Sequence, residues 1–195
     1  MKTFLRVFLV LSLGSMLLFA EGAKNPHVLI KTEQGDIMVE IYAKEAPISA
    51  GNFLKYVDEG LFINATFYRV VTMGNQPNNE IKIEVIQGGL DFTEGSQTLP
   101  PIAHETTEKT GILHKDGVIS MARLEPGTAS SEFFICVGDQ PELDFGGKRN
   151  PDGQGFAAFG KVVAGMEVVR KIHIQPEKGQ MLTPRISISD IVRIE

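Results

Sequence analysis

Apolar and polar residues begin to alternate soon after residue 25. Val28, Ile30 and Thr32 fall on one side of a short segment, with Leu29 and Lys31 on the other. Ile37, Val39 and Ile41 then alternate with Met38, Glu40 and Tyr42. A period of two marks a strand with one buried face. Between the runs lies Glu33-Gln34-Gly35-Asp36, where Gly35 can take a positive φ at little cost. The pattern predicts a β-hairpin. Beyond it the spacing lengthens: Ala50, Phe53, Leu54 and Val57 repeat as one stripe of a helix, opened by Pro47 and ended by Gly60. Val168, Val169 and Ile172 predict a second helix over 166–172, with Pro176 soon after. Residues 67–71, 81–87, 118–121, 133–137, 156–162 and 186–194 are short strand-like apolar pieces, the last interrupted by Asp190, which suggests a bulge. Many short strands with two helices predict a mostly β chain: a closed antiparallel sheet plugged at its ends. Its interior fills with apolar side chains, which leaves function to the outer face and the loops.

Composition narrows the partners. The chain has 195 residues, 43% of them hydrophobic, and a net charge of −5 with both signs interspersed. That suffices for one domain with a real core, and no basic run suggests a nucleic-acid partner. A single cysteine excludes an intramolecular disulfide. Cys136 sits in an apolar run and reads as a buried, inert thiol. The four histidines lack metal-ligand spacing, and His104 and His114 read as loop hydrogen-bonders. Lys2 and Arg6 precede an apolar run over 7–20 and small residues at Ala20, Gly22 and Ala23, the pattern of a signal peptide over 1–23 with the domain over 24–195. The run is shorter than the ~20 residues of a spanning helix. Export is therefore expected, without stable membrane insertion after cleavage; the alternative is an uncleaved anchor. No cysteine stands directly after the run, which excludes a lipoprotein anchor.

Four pieces stand in order along this frame: Phe67-Tyr68-Arg69-Val70-Val71, Ile86-Gln87-Gly88-Gly89, Ser120-Met121-Ala122-Arg123, and Ser130-Ser131-Glu132-Phe133-Phe134-Ile135. Together they resemble the cyclophilin family of peptidyl-prolyl cis/trans isomerases, from about Asn25 onward. The resemblance implies a closed antiparallel eight-stranded β-barrel capped by two α-helices, needing no cofactor and acting as a monomer on Pro-containing polypeptides. With the leader, it suggests a bacterial exported branch working in the periplasm.

An X-Pro amide turns over a barrier of ~18–20 kcal/mol because the nitrogen lone pair is delocalised. In the twisted state that nitrogen becomes pyramidal and basic, so a fixed donor aimed at it stabilises the transition state alone. The resemblance assigns that role to Arg69. Taken by itself, an arginine there reads as a surface partner for a carboxylate. By the same resemblance Gln87 contacts the substrate backbone and holds the arginine, and Phe134 floors the proline pocket while Phe133 faces the core. Leu143 walls the pocket, and Ala122 and Arg123 offer main-chain groups to the peptide. Three further substrate-contact positions depart from the better-known eukaryotic pattern: Glu132 for a glutamine, Val85 for a methionine, and Phe156 near a histidine. Glu142 replaces a tryptophan, and an insertion over 72–80 follows the arginine strand. These changes raise an alternative, a low-turnover chaperone that holds proline segments on the same fold. A carrier of lipocalin type would need an open barrel interior, at odds with the large apolar residues inferred inside.

Overall fold

The computed structural model describes residues 24–91 and 97–194. The leader expected over 1–23 lies outside the described residues. β1 (His27–Thr32) and β2 (Gly35–Ile41) form the expected hairpin, with Val28 opposite Val39 and Ile30 opposite Ile37. All four of these side chains are fully buried, which is what the period of two requires. α1 (Pro47–Asp58) begins on its proline and ends at Gly60, whose φ of 63° lets the chain turn away. The Gly60 N–H reaches the Val57 carbonyl (3.1 Å) and the Leu61 N–H that of Tyr56 (2.9 Å), so the last turn's carbonyls are satisfied.

The remaining strands are β3 (Thr66–Val71), β4 (Val85–Gly89), β5 (Val118–Met121), β6 (Phe133–Cys136), β7 (Ala157–Ala164), β8 (Glu177–Lys178) and β9 (Met181–Ile194). Around the ring the order is β1-β2-β7-β5-β6-β4-β3-β9, and β9 pairs back onto β1. The sheet is thus a closed antiparallel barrel of eight strands, and the two-residue β8 only flanks β9. α1 and α3 (Met166–His173) both bury their apolar stripes in the single barrel core. Three short elements carried no sequence signal: α2 (Thr107–Thr110), the two-residue β8 and a 3₁₀ turn, Pro141–Leu143.

Inside, Phe133 meets Phe53 edge-on at 5.5 Å and Phe67 at 5.9 Å, while Phe159 packs on Phe53 at 5.1 Å. An interior filled with rings leaves no ligand chamber, so the carrier alternative fails. Near Asp190 the expected bulge is present: Lys31 faces Asp190 but Thr32 faces Ile188, leaving one extra residue on β9.

Strand boundaries differ from expectation in several places: β9 begins at Met181 and not at 186, and two further differences bear on the site. Residues 81–84 lie outside β4 although Ile81, Ile83 and Val85 alternate. The buried amide of Gln76 bonds both main-chain groups of Ile83 (N–H to Oε1 3.3 Å; Nε2 to C=O 2.8 Å) and so takes the place of a neighbouring strand. Phe156 precedes β7, and its N–H is given to the Leu143 carbonyl (2.9 Å).

Candidate active site

A second apolar cluster lies on the outer face of the sheet. Val71, Ile83, Val85, Phe134, Cys136 and Leu143 make it up, with Ala122 and Phe156 packed against it. Strand alternation produces it: Phe133 points into the barrel and Phe134 out of it. Above Phe134 opens a cavity of about 180 Å³. Arg69, Val85, Gln87, Ala122, Arg123, Phe134, Leu143 and Phe156 line it, so eight of the nine expected site residues converge there. Glu132 is the exception. It lines a neighbouring hollow of about 140 Å³, and its carboxylate is bonded within the protein.

The floor is supported from beneath. The His114 ring stacks on Phe134 at 5.9 Å and 15°, and Phe156 meets it edge-on at 5.3 Å. His114 is a hydrogen-bonder, as expected, joined to Asp144 Oδ1 (2.8 Å) and Ser120 Oγ (3.0 Å). Serine, histidine and carboxylate are connected here as in a hydrolytic triad, but Ser120 is fully buried and no substrate atom can reach it. Cys136 is equally inert, since burial pushes its thiol well above the ordinary range.

Arg69 holds the polar edge of the cavity. Its Nη1 donates to Gln87 Oε1 (2.8 Å), and its Nε and Nη2 donate to Gln180 Oε1 (3.1 and 2.6 Å). Gln180 in turn donates to the Asn75 carbonyl (3.1 Å), which ties the insertion over 72–80 to the arginine. Burial lowers the Arg69 pKa, but a guanidinium stays charged throughout the working range. Among the described residues no carboxylate forms an ion pair with it. The surface-pair reading of Arg69 therefore fails. A partly desolvated cation is held by two neutral amide oxygens beside an apolar cavity, with N–H groups to spare from its five.

A family model described as cyclophilin type peptidyl-prolyl cis-trans isomerase/CLD matches residues 27–193. The chain belongs to this family. Relatives named peptidyl-prolyl cis-trans isomerase include one from Acinetobacter baylyi, 37% identical over 163 residues, covering 82% of this chain and 78% of the relative. Another, isomerase B of Escherichia coli, is 36% identical over 149 residues, covering 74% and 82%. In fold, the chain resembles a Cryptosporidium parvum cyclophilin crystallised in the presence of the dipeptide Ala-Pro (TM-score 0.69, 24% identity, 87% and 99% coverage). The protein is a peptidyl-prolyl cis-trans isomerase of cyclophilin type.

Within this cyclophilin the main-chain groups of the expected pair are not equally open. The Ala122 N–H is already given to the Glu132 carbonyl (2.9 Å), so it is not available to a peptide. The Arg123 N–H and C=O carry no hydrogen bond among the described residues and remain open. The Arg123 side chain also does more than expected. It is only 1% exposed, donates to Gly155 O (2.9 and 2.6 Å) and Asp152 (2.8 and 2.9 Å), and lies over Phe156. It thereby clamps the two loops that flank the cavity. Sequence reasoning missed Gln180, Tyr68 and His114 as site residues. Gln180 sits in a turn after Gly179 with no periodic neighbour, so only its spatial meeting with Arg69 identifies it.

Proposed function

We propose that this cyclophilin accelerates X-Pro rotation by seating the proline ring on Phe134 while Arg69 donates to the imide nitrogen as it becomes pyramidal. A guanidinium held by two amide oxygens, with no carboxylate partner among the described residues, beside an apolar cavity is the observation that carries this reading. Neither planar isomer presents a basic nitrogen, so the donor acts on the twisted state and raises kcat. Val85, Leu143 and Phe156 enclose the ring, and Arg123 offers its main-chain N–H and C=O to the peptide. No nucleophile or proton transfer is required. The substrates are Pro-containing segments of folding polypeptides. The Ala-Pro dipeptide present with the Cryptosporidium relative supports that class.

A protease-coupled or NMR exchange assay on short X-Pro peptides tests the activity reading. Catalysed exchange well above the uncatalysed rate is expected. Tight binding of Pro segments with no rate enhancement would instead make the protein a holding chaperone. We also propose that the mature enzyme works in the periplasm, on the strength of Lys2, Arg6 and the apolar run that follows. Mass spectrometry of the native protein should find an N-terminus between residues 20 and 25. Retention of Met1 in a membrane fraction would establish the anchor instead.

A further inference from the structure

Glu132 is the one expected substrate contact that the fold withdraws from the proline cavity. The residue is 5% exposed, and its carboxylate receives four donors. Oε1 accepts from the N–H groups of Leu90 (3.0 Å) and Asp91 (3.1 Å) and from Ser131 Oγ (2.9 Å). Oε2 accepts from the Tyr68 hydroxyl (2.7 Å). Gly89 makes room for it, because a Cβ at that position would lie 2.6 Å from Oε2.

Chemistry then sets the direction of the next bonds. A carboxylate only accepts, so the single phenolic proton of Tyr68 is committed to Glu132. Towards Gln87 the phenol has only lone pairs, and Gln87 turns Nε2 to it (2.6 Å). The other end of that amide, Oε1, must then face Arg69, where it accepts from Nη1 (2.8 Å). A buried charge at one end of the chain is read by a guanidinium at the other. If the chain runs backwards, Gln87 sets N–H against N–H.

We propose that Glu132, acting through Tyr68 and Gln87, is a positioning residue that orders the hydrogen bonds fixing Arg69 at the cavity. The proposal rests on Arg69 being the donor to the twisted imide. Burial pushes the Glu132 carboxyl above its ordinary value, against the pull of its four donors. Burial first, and Glu132 next, push the Tyr68 phenol upward, so it keeps its proton. The other charged groups facing this chain among the described residues are Asp91, which is ion-paired to Arg185, Arg69 itself, and Arg149, whose charge acts on Arg69. Protonated Glu132 can donate and the direction is lost. Turnover therefore declines as pH falls through the raised Glu132 value.

The test is a double-mutant cycle on Glu132→Gln and Tyr68→Phe, with kcat, KM and pH profiles measured on a short Pro peptide. In Glu132→Gln the three donors at Oε1 hold the amide oxygen and turn the NH2 on Tyr68, which then donates to Gln87 and reverses it. We expect kcat to fall about tenfold with KM changed by less than about threefold, and the low-pH limb to vanish, at unchanged near-UV circular dichroism. Phe at position 68 transmits no reversal, so Glu132→Gln should cost nothing further in that background. Additive losses, or a loss confined to KM, overturn the proposal. Should Glu132→Gln fail to fold, Tyr68→Phe decides alone: wild-type kcat with an unaltered low-pH limb overturns it. Arg69→Ala is measured alongside. Near-wild-type turnover there removes the donor reading itself, whereas an inactive Arg69→Ala beside a fully active Glu132→Gln removes only the relay.

Discussion

Arg69→Ala should lower kcat/KM by about 10²–10³, the usual cost of removing a transition-state donor from a preorganised site. The loss should fall mainly on kcat, because the ground-state amide nitrogen offers the guanidinium nothing to bind. Stability should barely change. Arg69 forms no ion pair among the described residues, and its partners Gln87 and Gln180 keep contacts to Tyr68 and Asn75 when it is gone. Arg69→Lys should recover little: an ammonium is a compact point charge without the planar fork that spans two glutamines and the substrate together. Turnover measured with thermal melts on both variants decides the matter. Near-wild-type kcat/KM in Arg69→Ala would sink the assignment.

Phe133 and Phe134 are adjacent on β6, and truncating them should produce opposite phenotypes. Phe133 is fully buried against Phe53, Phe62 and Phe67, so Phe133→Ala empties a site in the barrel core. A loss of about 3–5 kcal/mol is expected, with little change in the activity of the fraction that remains folded. Phe134 has a cavity above it, and its ring neighbours among the described residues are Phe156 and His114. Phe134→Ala should therefore cost less stability and act instead on substrate binding and turnover, since the proline ring loses its floor. Denaturant melts and isomerase rates on both variants separate the two. If Phe133→Ala loses activity at full stability while Phe134→Ala unfolds, the assignment of strand faces is wrong.

Positions whose neighbours in space are also set by a short repeat were readable from the chain. The β1–β2 hairpin, the α1 stripe from Ala50 to Val57 and the division of labour between Phe133 and Phe134 all follow from periods of 2 or 3.6. The convergence on one cavity was readable too, but only through the four ordered motifs, since nothing local brings Arg69 to Leu143. What escaped depends on single side chains meeting backbone far along the sequence. Gln180 reaches Arg69 and Asn75 across 111 and 105 residues, and Gln76 imitates a strand beside Ile83. Polar residues in loops leave no periodic trace, so 81–84 read as strand and Gln180 drew no reading at all. Glu132 was placed at the site by alignment with its motif, yet its carboxylate turns to Tyr68 and the Leu90–Asp91 backbone.

The closure of the barrel has a consequence for the proposed work on folding polypeptides. Such clients are rich in extended segments whose unpaired backbone groups seek any open strand to join. Because β9 returns to β1, the eight-stranded ring offers them no seam. β8 stands outside that ring, is only two residues long, and consists of the charged pair Glu177 and Lys178, a poor template for further pairing. Extended clients are thus denied backbone capture along the ring. On the proposed function, the closed ring lets the enzyme meet extended substrates repeatedly without offering them an edge on which to pair.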